Sequence, residues 1–187
     1  KGDVEALIEA AGFEDNPEIR EQAIHALVGY DRPEVIDALI NALKDEEPEV
    51  RIAAINALGE LDDPKTYDDI IAALGDEHDI VKDESRQTLV ELGEPVVEAL
   101  ISTLDTKDSQ LRQEVVAILE EIGQPAFRSL IKAVSEGNTE RNVIIADILV
   151  ELNENSISYL VDALNQPDEV VVNTAVDALT RIGPPAV

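Results

Sequence analysis

Four glutamates recur in this sequence at intervals of about thirty residues, at Glu60, Glu91, Glu121 and Glu151. Arg181 follows at the same interval and ends the run of carboxylates. A row of carboxylates attracts cationic groups, so the pattern predicts a surface for a basic peptide or for the basic patch of a protein. The alternative is that a chain this acidic carries carboxylates on every solvated face.

A second set of side chains recurs at another fixed position of the same period. Its members are His25, Asn56, Gln87, Ala117, Asp147 and Asp177. All but Ala117 are polar, and the period places them away from the apolar positions that should form the core. We therefore predict that the polar members share the partner-binding surface with the four glutamates.

Catalytic and metal-binding chemistry finds little support in the sequence. The absence of cysteine excludes disulfides, thiolate catalysis, Cys-ligated zinc and iron–sulfur clusters. His25 and His78 lie about fifty residues apart, and neither has a second histidine three or four residues away to complete a metal pair. The acidic clusters at 45–47 and 62–63 lack the alternating spacing and the glycine of a calcium loop. We therefore predict no catalytic residue, no metal ligand and no cofactor.

The overall charge narrows the class of partner. Asp and Glu number 41 against 14 Lys and Arg, which gives a formal net charge of -27. Such a surface repels the phosphates of nucleic acids and of anionic membranes, so neither is an expected partner. Residues 1–94 hold 26 acidic and 8 basic side chains, whereas residues 95–187 hold 15 and 6. The first half should therefore attract a cationic partner more strongly.

The same acidic balance resembles that of proteins from salt-loving microbes, in which carboxylates keep the surface hydrated. An archaeal cytoplasm rich in potassium would fit this composition, and so would an acidic protein of a mesophile. No apolar run approaches the roughly 18 residues of a membrane span. We expect a cytoplasmic protein.

The elements that must position these side chains follow from a pair of adjacent apolar residues that recurs six times. The pairs begin at Leu7, Leu39, Ile70, Leu100, Leu130 and Leu160, at spacings of 32, 31, 30, 30 and 30 residues. Further apolar residues stand three before and four after each pair, which is the spacing of one helix face. About eleven residues beyond each pair a second helical pattern begins. Each repeat is therefore predicted to be a helical hairpin.

Prolines and glycines mark the ends of these predicted helices. First helices are predicted to start at Pro33, Pro64, Pro95 and Pro125, where a missing amide donor costs nothing. Second helices are predicted to start at Pro17, Pro48, Asp79, Ser109 and Thr139. A left-handed residue is predicted to close the helices at Gly93, Gly123, Asn153 and Gly183.

A single hairpin cannot bury both of its apolar faces, so neighbouring hairpins must stack around a shared core. The predicted fold is all-α, a right-handed α-solenoid of about six stacked hairpins with the second helices on the concave face. We expect one domain over residues 1–187, with residues 184–187 as the start of a further repeat of a longer protein. The predicted repeats span residues 1–32, 33–63, 64–94, 95–124, 125–154 and 155–183.

The unit from Pro33 to Leu61 resembles a HEAT repeat of the short type first noted in phycobilin lyases. The most specific feature is a Pro-x-Val-Arg block after an acidic turn, present at residues 17–20 and 48–51 and in weaker form at 81–82 and 111–112. The resemblance covers all six units. It implies a superhelix of the HEAT-like or armadillo type.

In the HEAT family a turn Asp and a helix Arg commonly form a ladder that ties one repeat to the next. The resemblance implies such pairs here as Asp45 with Arg51 and Asp76 with Lys82, with Glu14 and Arg20 as a conservative variant. Thr106 with Arg112 keeps one partner of the pair, and the last two units have Glu136 with Asn142 and Gln166 with Val172 at these positions. We expect these charges to hold the stack together and the ladder to fade towards the C-terminus. The alternative is that its basic members bind an anionic ligand.

The resemblance also bears on function. HEAT-type deoxyhypusine hydroxylases carry repeated His-Glu pairs, whereas Ala26 and Asp79 follow the two histidines here, so that activity is not implied. The leading hypothesis is a non-catalytic protein–protein interaction scaffold that uses an acidic concave face. The alternative is an enzyme of the lyase-type HEAT class, or an accessory subunit of one.

Overall fold

The computed structural model describes residues 2–13, 15–30, 32–134, 138–152 and 154–183. Helices make up most of these residues, and none of the described residues lies in a β-strand. The predicted all-α fold of helical hairpins is therefore confirmed. The predictions that concern Glu14, Glu136, Asn153 and residues 184–187 lie outside the described residues.

The described residues form twelve α-helices and three short turns of 3-10 helix. The α-helices are α1 (Gly2–Ala11), α2 (Pro17–Leu27), α3 (Pro33–Ala42), α4 (Pro48–Leu61), α5 (Tyr67–Ala72), α6 (Asp79–Leu92), α7 (Val97–Thr103), α8 (Ser109–Ile122), α9 (Gln124–Ala133), α10 (Thr139–Glu151), α11 (Glu154–Ala163) and α12 (Glu169–Ile182). The 3-10 turns are Pro64–Thr66, Ala73–Gly75 and Glu94–Val96.

The helix starts largely follow the predictions. Helices α2, α4, α6, α8 and α10 begin at the predicted residues Pro17, Pro48, Asp79, Ser109 and Thr139. The predictions at Pro64 and Pro95 are wrong in detail, because a 3-10 turn lies there and the α-helix begins later, at Tyr67 and Val97. These turns are closed by short-range bonds such as that from the Thr66 N–H to the Asp63 carbonyl, at 2.9 Å.

The helix ends show the predicted left-handed residues and one more. Gly93, Gly123 and Gly183 have φ angles of 65°, 68° and 75°. Asp62 occupies the same place in the period and has a φ of 49°, which a side chain with a Cβ adopts at some cost in energy. An aspartate therefore ends α4 where a glycine ends the comparable helices α6, α8 and α12.

The chain divides into two compact units, Lys1–Leu92 and Gly93–Val187. We call them the N-terminal unit and the C-terminal unit. In the N-terminal unit the second helices α2, α4 and α6 contact one another in that order, and in the C-terminal unit α8, α10 and α12 do the same. Each unit is thus a stack of three hairpins, and a single domain over the whole chain stays a prediction.

The apolar pairs that define the period lie in the core. From the second repeat onward the first member of each pair is fully buried, namely Leu39, Ile70, Leu100, Leu130 and Leu160. Five of the six second helices bury a leucine at the corresponding place, namely Leu27, Leu58, Leu89, Leu119 and Leu149. Burying such a side chain stabilises the fold by about 1.5–3 kcal/mol. The opposite faces of the second helices are therefore left for polar side chains.

The ladder of charges exists, but its predicted register is wrong. The Arg51 Nη2 atom lies 2.8 Å from Asp76 Oδ1 of the next repeat, while the own-repeat residue Asp45 supplies only its backbone carbonyl, at 2.7 Å from Nη1. Arg20 binds Asp45 in the same way, and Lys82 binds Asp79 rather than Asp76. The planar guanidinium explains this arrangement, because its fork grips one carboxylate through Nε and Nη2 and leaves Nη1 for a second acceptor.

Candidate partner-binding surface

A groove of about 520 Å³ runs along the second helices of the N-terminal unit. It is lined by His25, Asn56, Gly59, Glu60, Asp62, Thr88, Glu91 and Leu92. Four of these residues, His25, Asn56, Glu60 and Glu91, belong to the partner-binding surface predicted from the sequence. Helices α2, α4 and α6 thus bring four of the nine predicted residues together in one groove.

The carboxylates of this groove face solvent. Glu60 and Glu91 are exposed near the C-terminal ends of α4 and α6. Gln87, another predicted residue, donates a hydrogen bond from Nε2 to Glu91 Oε1 at 2.9 Å and so holds that side chain from one side. Within the part of the chain that the structure describes, neither glutamate forms an ion pair with a lysine or an arginine. Their negative charge is therefore available to a bound cation.

The floor of the groove depends on a close approach between α4 and α6 at Gly59. A Cβ atom on Gly59 would lie only 2.4 Å from Thr88 Cγ2, and Thr88 is buried. Any larger residue at this place would push the two helices apart or displace the threonine. The repeat pattern predicted neither residue as part of the surface, although a glycine inside a helix rather than at its end is a known signal of close packing.

Asp62 adds a third carboxylate, which the repeat pattern did not predict either. The Tyr67 hydroxyl donates a hydrogen bond to Asp62 Oδ1 at 2.5 Å and fixes the orientation of that carboxylate. Burial, together with this hydrogen bond and the nearby negative charge, raises the pKa of Tyr67 to about 12. Tyr67 therefore stays a hydrogen-bond donor at physiological pH. The signal in the sequence is an aspartate at the repeat position where Gly93 and Gly123 stand.

The two histidines occupy different surroundings. His25 is exposed on α2, with Nε2 3.8 Å from Glu21 Oε1. His78 lies in the turn before α6, where Nδ1 is 3.0 Å from Arg51 Nη2, and it is not among the groove residues. In the described ranges no group of three or more His, Asp or Glu side chains is arranged to hold a metal ion.

The predicted residues of the C-terminal unit are arranged differently. Arg181 Nη2 donates to Asp147 Oδ1 at 2.6 Å, and Nη1 donates to Asp177 Oδ2 at 3.4 Å. Glu121 and Glu151 are exposed near the ends of α8 and α10. Two of the predicted carboxylates in this unit are thus already bound to an arginine of the same chain.

Carboxylates also repel one another in this unit. Burial raises the pKa of Glu120, and the negative charge of Glu151 raises it further. Glu120 stands one residue before the predicted site residue Glu121 on α8. The side chains around Glu151 therefore carry unfavourable charge that a cation would relieve.

Part of the chain matches a known family. Residues 4–90 match the family model of HEAT repeats. The sequence matches no curated protein.

Solved structures of helical-repeat proteins resemble the chain. The complex of CpcE and CpcF of phycocyanin lyase from Nostoc sp. PCC7120 is similar at 25% identity and a TM-score of 0.49, over 96% of this chain and 77% of that chain. An engineered protein is similar at 18% identity and a TM-score of 0.43, over 96% of each chain. The archaeal HEAT-like repeats protein of Thermococcus onnurineus NA1 is similar at 16% identity and a TM-score of 0.39, over 96% of this chain and 80% of that one.

Among the described residues, no helix has both the length and the apolar character that crossing a membrane requires. The match over residues 4–90 falls on the units in which the Pro-x-Val-Arg block is clearest. The resemblance to HEAT repeats that was inferred from that block is confirmed over these residues.

Proposed function

We propose that this protein is a non-catalytic scaffold that binds a cationic segment of a protein or peptide in the groove of its N-terminal unit. The observation that supports the proposal is the set of carboxylates of Glu60, Asp62 and Glu91 in one groove. Complementary charge favours encounter with a basic partner and opposes binding of an acidic one. The partner would be recognised by lysine or arginine side chains that enter this groove.

The groove suits the two parts of such a side chain. A lysine or arginine has a long apolar stem and a charged head. The stem would lie against Leu92 and the Thr88 methyl group, while the head would reach Glu60 or Glu91. Asn56 would then be free to hydrogen-bond the backbone of the partner.

The net negative charge of the N-terminal unit also favours a cationic partner. Residues 1–92 carry 25 acidic and 8 basic side chains. A field of this sign raises the association rate of a cationic partner, and salt weakens the effect because the screening length falls from about 10 Å at 0.1 M to about 3 Å at 1 M. The acidic composition, which resembles that of proteins from a potassium-rich cytoplasm, also supports the cytoplasm as the proposed location.

The test compares two variants of equal charge. The first, E60Q/E91Q, removes two carboxylates from the groove. The second, D37N/D68N, removes two exposed carboxylates from the first helices α3 and α5. The probe is a fluorescein-labelled poly-arginine peptide, and its association rate and affinity are measured by stopped flow and by anisotropy at low and high salt.

The groove variant should weaken binding at least about tenfold and flatten its salt dependence, whereas the control should change affinity by less than about twofold. Equal losses in the two variants would mean that only total charge matters, and the groove would then be dropped as the site. Failure of the wild-type protein to bind the peptide at low salt would overturn the proposed function itself.

A further inference from the structure

Another pocket of the N-terminal unit adjoins the groove at the C-terminal end of α4. Its volume is about 460 Å³, and it shares Glu60 and Asp62 with the groove. Asp63 adds a third carboxylate. The other lining residues are apolar or aromatic, namely Tyr30, Ile36, Leu61 and Pro64. We call this cavity the side pocket, and one extended segment can occupy it together with the groove.

The size of residue 36 affects how wide the side pocket is. The same repeat position holds Tyr67 and Phe127 in other repeats, and both of these rings are buried. Ile36 is smaller and only half-buried, which leaves its part of the wall open. A ring at this position would therefore occupy volume that the side pocket offers to a ligand.

Tyr30 brings an aromatic ring to the side pocket. The residue is half-buried after α2, and its N–H donates a hydrogen bond to the Leu27 carbonyl at 3.0 Å. Among the described residues no other aromatic ring stacks on Tyr30. The nearby Arg32 pairs with Glu34 at 3.4 Å and does not line the side pocket. The ring is therefore available to a cation from a partner.

Two carboxylates of the side pocket are held in place by the chain itself. Asp62 Oδ1 accepts a hydrogen bond from the Tyr67 hydroxyl at 2.5 Å, and Asp63 Oδ1 accepts one from the Lys65 N–H at 3.0 Å. Within the described ranges neither aspartate forms an ion pair with a lysine or an arginine. The second oxygen of each carboxylate is thus left for an N–H donor of a partner.

We propose that the side pocket binds an arginine side chain of the partner and selects it over lysine. This inference rests on the proposed function, because the arginine belongs to the same cationic segment that occupies the groove. A guanidinium is planar, so its faces pack on aromatic and apolar walls while its N–H groups bind carboxylates at its edge. A lysine ammonium is compact and strongly hydrated, and it does not combine both contacts in this way.

The test compares two fluorescein-labelled peptides of equal length, poly-arginine and poly-lysine, by anisotropy at about 0.1 M salt. The wild-type protein should bind poly-arginine at least about fivefold more tightly. Ile36→Phe narrows the side pocket without a change of charge. It should reduce this preference to less than about twofold and leave the affinity for poly-lysine within about twofold of wild type.

A matched control places the same substitution elsewhere in the N-terminal unit. Ile80 is an exposed residue of α6 that lines neither the groove nor the side pocket. Ile80→Phe should therefore keep the full preference for poly-arginine. Tyr30→Leu, which removes the ring but keeps an apolar side chain, should lower the preference as Ile36→Phe does. Circular dichroism and thermal melting establish that each variant is folded.

Nuclear magnetic resonance of the wild-type protein tests the same contact without relying on a variant that binds. The sequence holds three tyrosines, so the ring signals of Tyr30 are identified by their loss in Tyr30→Phe. Poly-arginine should give nuclear Overhauser effects between the Tyr30 ring and the methylene protons beside a guanidinium. Their absence at a saturating concentration of the peptide would overturn the proposal.

The binding data separate this inference from the proposed function. Equal affinity of the wild type for the two peptides would overturn the side pocket as an arginine site. A preference that survives in both Ile36→Phe and Tyr30→Leu would do the same. In either case both peptides would still bind in the groove, so the proposed function would stand. Failure of both peptides to bind at low salt would overturn the proposed function and this inference with it.

Discussion

The two units use the same repeat but link their hairpins with ion pairs of different burial. In the N-terminal unit Arg51 and Asp76 are only 6% and 13% exposed, and the guanidinium grips the carboxylate with two bonds of 2.8 Å. In the C-terminal unit Arg112 and Glu140 are 26% and 74% exposed, and Arg112 Nη1 lies 2.9 Å from Glu140 Oε1. The corresponding arginines of the two units thus both reach the next repeat, but the ion pair is buried in the N-terminal unit and largely exposed to solvent in the C-terminal unit.

Burial decides what such a pair contributes. Exposed ion pairs are worth about 0–1 kcal/mol, because water and salt already screen both charges. Removing one partner of a buried pair costs about 3–5 kcal/mol, because the other charge is left without compensation. The N-terminal ladder should therefore enforce the register of its repeats, whereas the C-terminal pairs should contribute little to it.

The largest predicted effect is the loss of stability when Arg51 is replaced. Arg51→Met should lower the free energy of unfolding by about 3–5 kcal/mol, because Asp76 stays buried without its cation. Arg112→Met should cost about 1 kcal/mol through its exposed ion pair. Urea denaturation of both variants measures the difference, and equal losses would mean that burial does not separate the two units.

The second prediction concerns the close approach in the groove. Gly59→Val introduces the residue found at the same repeat position in the C-terminal unit, Val150. Because its Cβ would meet Thr88 Cγ2 at 2.4 Å, the change should cost about 1–3 kcal/mol of stability and weaken binding of a basic peptide.

Thr88→Ala supplies the control for this steric explanation. Combined with Gly59→Val it removes the clashing methyl group and should recover part of the lost stability in a double-mutant cycle. Additive losses in the cycle would contradict a direct contact between the two positions.

The third prediction concerns the pH dependence of the stabilisation that Asp76 gives to the N-terminal unit. Burial alone would raise the pKa of Asp76, but the hydrogen bonds from Arg51 and from the His78 N–H outweigh it and lower that pKa. A carboxylate with a lowered pKa stabilises the fold fully above its unfolded value of about 3.9, and this contribution is lost as the pH falls through the lower folded value.

The measurement is the free energy of unfolding from neutral pH down to acid, for wild type and for Asp76→Asn. The variant should be less stable at neutral pH. The gap should begin to narrow below about pH 4 and should close as the pH falls through the lower folded pKa of Asp76, where the wild-type carboxylate becomes protonated. A gap that stays constant with pH would show that the charge of Asp76 does not matter.

Part of this contrast between the units follows from the sequence alone. The period places the second helices and their outward side chains, and it therefore predicts that His25, Asn56, Glu60 and Glu91 share a surface. The spacing does not predict which turn Arg51 binds, because its side chain can reach both the turn of its own repeat at Asp45 and the turn of the next repeat at Asp76.

Two further features depend on packing between helices and on backbone angles. The approach of α4 to α6 at Gly59 is set by how two helices dock, which a repeat pattern does not specify. The left-handed angle of Asp62 follows from its place in the period, but the bond from Tyr67 that fixes its carboxylate depends on where the two side chains meet in space. The difference between the buried ion pair of Arg51 and the exposed one of Arg112 likewise depends on how individual side chains are buried, which a repeat pattern does not specify.

The smallest predicted effect concerns the repulsion between Glu120 and Glu151 in the C-terminal unit. Burial and the charge of Glu151 together raise the pKa of Glu120, so the ionised form of Glu120 is disfavoured in the folded state. A carboxylate with a raised pKa reduces stability above its folded pKa, and the penalty disappears as the pH falls to the unfolded value of about 4.3. Glu151→Gln should therefore lower the pKa of Glu120 and raise stability slightly at neutral pH, an effect kept small by solvent around Glu120.

A carboxyl-detected NMR titration measures the pKa of Glu120 directly. Asp162→Asn, which removes an exposed carboxylate from α11, serves as a control of equal charge. If the control lowers the pKa of Glu120 as much, the repulsion comes from the acidic surface as a whole, and the two units differ in the burial of their pairs alone.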